Sequence, residues 1–343
     1  MFTRANDQST WRWAARARRA TVRAWCGGRQ VLLCGAAGGG IADVGLAFRP
    51  LLTPAAGKWG CAGKLPRVNP ISFASVECSD PRFERDGLRA ITVRSGALGR
   101  RADMCFWAPP LGNSPATLPL LILLHGSGGS AWSWPLNGGA HLTTARLVEA
   151  EEIAPVALAM PSDGLWGMGS GYVPHADADY ERWIVDEVPA AAALLDDRIT
   201  GSSPLTIAGL SMGGFGALRL GAKYPDRFRG ISAHSAVTTL GRLAEATGDR
   251  LDALPGFGQP EGAALHWLEV NAGRLPPLRF DCGNDDHLLP GNRALHDALG
   301  ARGIDHQYEE FAGSHDWLYW RLHLADSLRF LDRAMARAPG AVQ

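Results

Sequence analysis

The sequence predicts an α/β fold, with a mostly parallel central sheet covered by helices on both faces. Strand-like runs recur from about residue 71 onward, and most are apolar throughout instead of alternating, the pattern of strands buried on both faces. Helix-length segments separate most of the later runs, which lets consecutive strands lie parallel. The 343 residues, 46% hydrophobic and 20% charged, suffice to bury one large core.

The runs "LRAITVR" (88–94) and "ADMCFWA" (102–108) have only a short connection between them, so the sheet should begin antiparallel. Further strands are expected at "PLLILL" (119–124), "PVALAM" (155–160), "LTIAG" (205–209), "FRGISA" (228–233), "PLRFDC" (277–282) and "HQYEEF" (306–311). Helices are expected over 179–195, 211–223, 291–302 and 316–336. The folded domain would span 71–337 with a small cap at about 236–276, leaving a tail over 338–343 and a loosely ordered N-terminal extension over 1–70. No internal repeat is visible.

That extension differs in composition. Arg4, Arg12, Arg16, Arg18, Arg19, Arg23 and Arg29 face a single acid, Asp7, and a weakly apolar stretch, "VLLCGAAGGGIADVGLAF", follows. A basic segment ahead of an apolar one suggests an export signal, with Arg18-Arg19 allowing a twin-arginine reading. Against this, Asp43 interrupts the apolar run and no clean cleavage site follows, so a plain extension explains the same residues. A secreted or periplasmic location is preferred to a cytoplasmic one. The run is too Gly-rich and too short for a membrane span. It also mimics a dinucleotide-binding turn, but a G-x-G-x-x-G begun at Gly38 and Gly40 meets Asp43 where the third glycine belongs. No cofactor is expected.

The formal net charge is +0, so no overall basic field is available for a nucleic acid or an anionic membrane. The six cysteines, at 26, 34, 61, 78, 105 and 282, include no C-x-x-C pair and give a zinc site no support. Without the first two, four remain, a number compatible with disulfides in an oxidising compartment. Cys105 and Cys282 lie in strand-like runs and read as small buried apolar residues.

The segment "LTIAGLSMGGFGALRLGAKYP" (205–225) carries the chemistry. A lone serine, Ser211, stands between a strand and a helix and is crowded by Gly209, Gly213, Gly214 and Gly216. Gly209 to Gly213 spell G-x-S-x-G, the nucleophile elbow, where a tight turn lifts the hydroxyl above the sheet. Gly209 and Gly213 would remove side chains that collide across that turn, while Gly214 and Gly216 would let the helix pack close. Amides at the helix start face any developing negative charge.

A serine hydroxyl is a weak nucleophile at neutral pH and needs a base with an acid that orients it. Both should follow later in the chain, after later strands. "RFDCGNDDHLL" offers Asp285 and Asp286, and "EEFAGSHDWLYW" offers His315, which lies 29 residues beyond Asp286. Asp281 sits inside the strand and is the weakest acid candidate. His234 could line the site but precedes the acids, while His287, His296, His306 and His323 lie in or beside regular elements. An oxyanion would need the amide of Met212 and a second donor from the Gly-rich loop "HGSGG" after the 119–124 strand. Ser127 is the preferred second donor, with Gly126 or Gly128 as alternatives, and His125 would hold that loop's backbone.

The motifs "LLHGSGGS", "GLSMGGFGAL", "PPLRFDCGNDDHLL" and "GSHDWLYW", preceded by "SGALGRRADMCFWAP", resemble those of the esterase D-like branch of α/β hydrolases over about residues 85–337. That branch includes tributyrin-type esterases, feruloyl and acetyl-xylan esterases, S-formylglutathione hydrolases and mycolyltransferases. The resemblance implies the α/β-hydrolase fold and a catalytic set of Ser211, Asp286 and His315, the acid falling four residues after Cys282. Leu210 stands where S-formylglutathione hydrolases typically carry histidine, which weakens the glutathione-thioester reading, and Gly213-Gly214 departs from the mycolyltransferase elbow.

The expected function is hydrolysis of short-chain acyl or aryl carboxylic esters through an acyl-enzyme, because the cap is too brief to roof a long lipid groove. The partner would be a small-molecule ester, a plant-polymer side-chain ester included. An acyltransferase or thioesterase of the same branch, or a silent binding protein, are the alternatives. Trp317, His125 and Leu210 are assigned to the substrate side. Trp132, Trp134, Trp166, Trp317 and Trp320 fall near the carboxyl ends of strands, where they would form an aromatic wall or pack in the core. His175-x-Asp177-x-Asp179 has metal-capable side chains, but a solvated loop explains it better, and no metal is expected.

Overall fold

The computed structural model describes residues 22–26, 29–33, 71–110 and 117–336. The chain divides into two compact units, residues 1–66 and 67–343. In the first, β1 (Val22–Cys26) and β2 (Arg29–Leu33) pair antiparallel. The export-signal reading otherwise falls outside the described residues, as do Cys34, Cys61 and the tail from 338.

In the second unit the chain runs β3 (Val76–Cys78), β4 (Arg89–Arg94), β5 (Arg101–Trp107), β6 (Leu120–Leu124), α1 (Ala140–Glu149) and β7 (Ala157–Pro161). Then follow α2 (Tyr180–Arg182) and α3 (Val188–Ala193), joined by one widened turn, β8 (Leu205–Leu210), α4 (Met212–Lys223) and β9 (Phe228–His234). After α5 (Leu240–Thr247) and α6 (Ala264–Val270) come β10 (Leu278–Gly283), α7 (Leu289–Ala301), β11 (Gln307–Phe311) and α8 (Trp317–Ala336).

The sheet order is β11-β10-β9-β8-β6-β7-β5-β4-β3. From β7 through β11 neighbouring strands are parallel, and β5, β4 and β3 extend one side antiparallel. The expected antiparallel start is therefore present.

Alternation within the apolar strands covers both faces. Leu120, Ile122 and Leu124 of β6 join one core with Ile207, Phe215 and Phe280, whereas Leu121 and Leu123 join the other with Ala208, Trp320 and Leu324. Side chains of period two feed opposite faces, so a strand without a polar face needs helices on both sides. α4 and α6 pack on the first face, and α1 and α8 meet on the second.

β7 lies on one side of β6 and β8 on the other, so strand order reverses between β6 and β8. In open α/β sheets the carboxyl ends of strands at such a reversal form the ligand crevice. The loops after β6 and β8 are the ones that carry His125 to Gly129 and Ser211.

α1 and β3 have weak sequence signals. The buried face of α1 includes His141 and Thr144 beside Ala140 and Leu147, which dilutes its apolar period. β3 is three exposed residues at the sheet edge. The 236–276 insertion sends Leu240, Leu243, Leu251, Ala264 and Leu268 into the main core. Trp267 covers Arg219 and Lys223 of α4.

Cys78, Cys105 and Cys282 are free thiols, with only Cys282 fully buried. His175, Asp177 and Asp179 have separate partners: the Ser170 carbonyl, Arg100, and the Arg182 amide that Asp179 caps. Among the described residues no helix is long and apolar enough to cross a membrane.

Candidate active site

β8 ends at Leu210 and α4 begins at Met212, leaving Ser211 at the corner with φ 53° and ψ −118°. A Cβ on Gly209 would strike the Gly213 carbonyl, and one on Gly213 would strike the Leu124 carbonyl, so both positions need glycine for space. The Ser211 backbone is held on the neighbouring strand end. Its amide donates to the His234 carbonyl at 2.9 Å, and its carbonyl accepts from the amides of Phe215 and Val237, each at 3.1 Å. The side chain, 8% exposed, opens at the carboxyl end of the sheet.

The turns after β10 and β11 bring the next two groups. His315 Nε2 lies 3.0 Å from Ser211 Oγ, and His315 Nδ1 lies 2.8 Å from Asp286 Oδ2. The other Asp286 oxygen accepts from the Leu288 amide at 2.8 Å. Burial works to raise the Asp286 pKa, but the hydrogen bonds from His315, Leu288 and Ser235 outweigh it and hold the carboxyl below its ordinary value. Asp285 is exposed, its amide donates to the Gly313 carbonyl at 2.9 Å, and its carboxylate has no hydrogen-bond partner among the described residues. Of the two acids left open by spacing, Asp286 is the one that reaches the imidazole. The His315 ring meets Trp320 edge-on at 5.0 Å and His287 at 4.7 Å between centroids.

Ser235 is a supporting residue that no sequence motif marks. It stands just past β9 with φ 47°, bonds the Asp286 side chain, and accepts from Trp320 Nε1 at 3.3 Å. Its signal is purely three-dimensional, since a serine at a strand end is ordinary in sequence.

On the opposite side of Ser211 the loop after β6 turns back on itself, with the Gly129 amide donating to the Gly126 carbonyl at 3.1 Å. The Gly128 amide donates to the Met168 carbonyl at 2.6 Å, which removes Gly128 as an oxyanion donor. The amides of Ser127 and Met212 donate to no carbonyl among the described residues. Asp249 accepts from the Met168 amide at 2.7 Å and so fixes the segment that fixes the loop.

Two substrate-side assignments need correction. The His125 ring is buried, with Nδ1 donating to the Gly126 carbonyl at 2.8 Å and Nε2 accepting from the Asp163 amide at 3.0 Å. Both nitrogens are committed to backbone, so His125 shapes the loop. Leu210 is also buried, its side chain against Gly126 and the second core. Alternation decides this: with Ser211 at the corner, Leu210 must face a helix layer.

Trp317 is half-buried, edge-on to Trp134 at 5.6 Å and to Trp320 at 5.2 Å. Trp134 and Trp320 are core residues, and Trp132 is the exposed member of the set at 48%. Beside the Asp286 turn lies a cleft of about 440 Å³ whose lining includes Ala236, Thr238, Arg242, His287 and Leu288.

A hydroxyl, a ring nitrogen able to take its proton, a carboxylate that fixes the ring, and two unengaged amides can together run acyl transfer. The family described as "Putative esterase" matches residues 95–331. An acetyl esterase of Caldicellulosiruptor saccharolyticus is 30% identical over 234 residues, 63% of this chain and 84% of that protein. Other esterases matched at 26–32% identity are longer, and the chain spans about half their length. A solved ferulic acid esterase superposes with a TM-score of 0.62 at 25% identity, covering 72% of this chain and 98% of its own. An S-formylglutathione hydrolase of Staphylococcus aureus superposes at 0.58 and 19% identity over 75% of this chain and 99% of its own, a likeness of fold. With the match extending over most of the sheet and every loop of the Ser211 site, the chain belongs to this esterase family, is a carboxylesterase, and has the α/β-hydrolase fold.

Proposed function

We propose that the protein hydrolyses short-chain acyl or aryl esters through an acyl-enzyme on Ser211. The observation that carries this reading is the relay at the strained corner: Ser211 Oγ to His315 at 3.0 Å and His315 to Asp286 at 2.8 Å. Oγ attacks the ester carbonyl as His315 Nε2 takes its proton, and the oxyanion is met by the Ser127 and Met212 amides. Collapse expels the alcohol, protonated by His315. Water then gives its proton to His315, attacks the acyl carbon and releases the acid, restoring Ser211. Asp286 stays ionised throughout.

The similarity to an acetyl esterase and a ferulic acid esterase supports a small acyl or aryl group. Half-buried Trp317, edge-on to the Trp320 ring that meets His315, is the aromatic surface offered to such a group. The test is a p-nitrophenyl ester series from acetate to laurate beside methyl ferulate, with fluorophosphonate labelling of Ser211. We expect labelling at Ser211 and faster turnover of acetate or butyrate than of laurate; the reverse order would overturn the chain-length reading, and an unlabelled Ser211 the mechanism.

A further inference from the structure

The residue after the site's acid, His287, is not needed for the relay, yet it completes a second arrangement. Asp286, His287 and His315 each offer a ligand atom, and all three atoms lie within 4.8 Å of one another. His315 Nδ1 is 2.8 Å from Asp286 Oδ2, and His287 Nδ1 is 3.6 Å from Asp286 Oδ1. Ligand atoms on a tetrahedral zinc ion with bonds near 2.0–2.1 Å stand about 3.3 Å apart. Closing on the ion needs the Asp286–His315 contact to open by about half an ångström and the His287 ring to make an inward swing. His287 can supply it, since its side chain is 64% exposed while Asp286 is held in place.

We propose that a borderline divalent transition-metal ion, zinc in the first instance, binds reversibly across Asp286, His287 and His315 and switches the enzyme off. The binding rests on ligand geometry; its effect on turnover rests on the role proposed for His315. In the working relay the His315 proton is on Nδ1, facing Asp286, and Nε2 is free to take the Ser211 proton. A metal on Nδ1 reverses this. The ring proton moves through solvent from Nδ1 to Nε2, so protons balance, and Nε2–H can no longer accept from Ser211. The metal also takes the carboxylate that oriented the ring. Two imidazoles and one carboxylate favour zinc or copper, whereas magnesium and calcium prefer all-oxygen sets.

Hydrolysis of p-nitrophenyl acetate is measured across a zinc chloride series in a non-chelating buffer, with EDTA rescue and magnesium chloride as control. The wild type should be inhibited by zinc, restored by EDTA and indifferent to magnesium. His287→Ala should keep its metal-free kcat within about twofold and need at least tenfold more zinc for half-inhibition. Calorimetry on Ser211→Ala, which retains all three ligands, reads binding apart from catalysis. One zinc bound there, weakened at least tenfold by adding His287→Ala, is the expected result whatever Ser211 does. A competing imidazole pair is His296 and His306, whose ring nitrogens are 2.8 Å apart on the surface. An equal zinc midpoint in wild type and His287→Ala, or inhibition abolished by His296→Ala instead, would overturn the proposal.

Discussion

Among the described residues two Ser–His–Asp sets stand out, with nearly the same internal distances and opposite surroundings. In one, Ser211 Oγ, His315 and Asp286 are linked at 3.0 and 2.8 Å. In the other, Ser327 Oγ lies 2.9 Å from His234 Nε2, and His234 Nδ1 lies 3.0 Å from Asp281. The second set is wholly buried. Its serine is inside α8, its histidine ends β9 and its acid is inside β10, so it ties three elements together. Asp281 also accepts from Tyr319 at 2.7 Å and pairs with Arg279. Burial opposes its ionisation, but His234 and Arg279 overcome that and hold its pKa at about 2. Linkage geometry alone does not make a nucleophile. Ser211, the proposed nucleophile, differs in standing at a strand–helix corner next to unengaged amides, while Ser327 has its oxygen saturated by Ser232 and Arg279 as well.

The difference can be broken most sharply at the serines. Ser211→Ala should lower kcat on p-nitrophenyl acetate by on the order of 10⁴ to 10⁶. Ser327→Ala should leave kcat within about threefold and cost roughly 1–3 kcal/mol of stability in denaturant unfolding, as buried partners lose a hydrogen bond. A large kcat loss in folded Ser327→Ala would mean the two sets are functionally coupled.

The acids sharpen the comparison. Asp286→Asn should cut kcat by on the order of 10³ to 10⁴ by leaving the base misoriented. Asp285→Asn, on an exposed side chain, should cost no more than a few-fold. Asp281→Asn should act mainly on stability, by about 3 kcal/mol, because buried Arg279 keeps only Glu309 as a charge partner and His234 and Tyr319 lose a carboxylate acceptor. Unfolding curves and kcat measured on the same preparations separate these outcomes; equal kcat losses from Asp285→Asn and Asp286→Asn would unseat Asp286.

The smallest effect concerns pH and the loop that faces Ser211. Burial lowers the His125 pKa from its ordinary 6.5, outweighing the nearby Asp163 carboxylate. A depressed folded pKa means stability present above the unfolded value and lost as pH falls below about 6.5, where the unfolded chain takes up the proton first. Unfolding free energy should therefore fall between pH 7 and 5, and His125→Asn should flatten that slope. An unchanged slope in the variant would remove His125 from the account.

The sequence is legible where a residue's meaning is local. Gly209, Ser211 and Gly213 announce the corner because the turn's steric demands fall on adjacent positions, and the all-apolar strands announce two covered faces. His315 and Asp286 are found by their order after successive strands. Ser235, Asp249 and the Ser327–His234–Asp281 clamp are not, because each acts on partners distant in sequence. Their place in motifs puts His125 and Leu210 beside the substrate, but a motif position does not say which way a side chain points. α1 escapes because two of its buried positions are polar.

The backbone at Ser211 has one further consequence. At φ 53° and ψ −118° a residue with a side chain is held where glycine would be at ease, at a cost of order 1–3 kcal/mol. The rest of the fold carries that load permanently, so the site limits the durability of the whole molecule. Selection for heat resistance alone would drift toward Ser211→Gly and a sturdier, inert protein, and only continued demand for turnover keeps the serine in place.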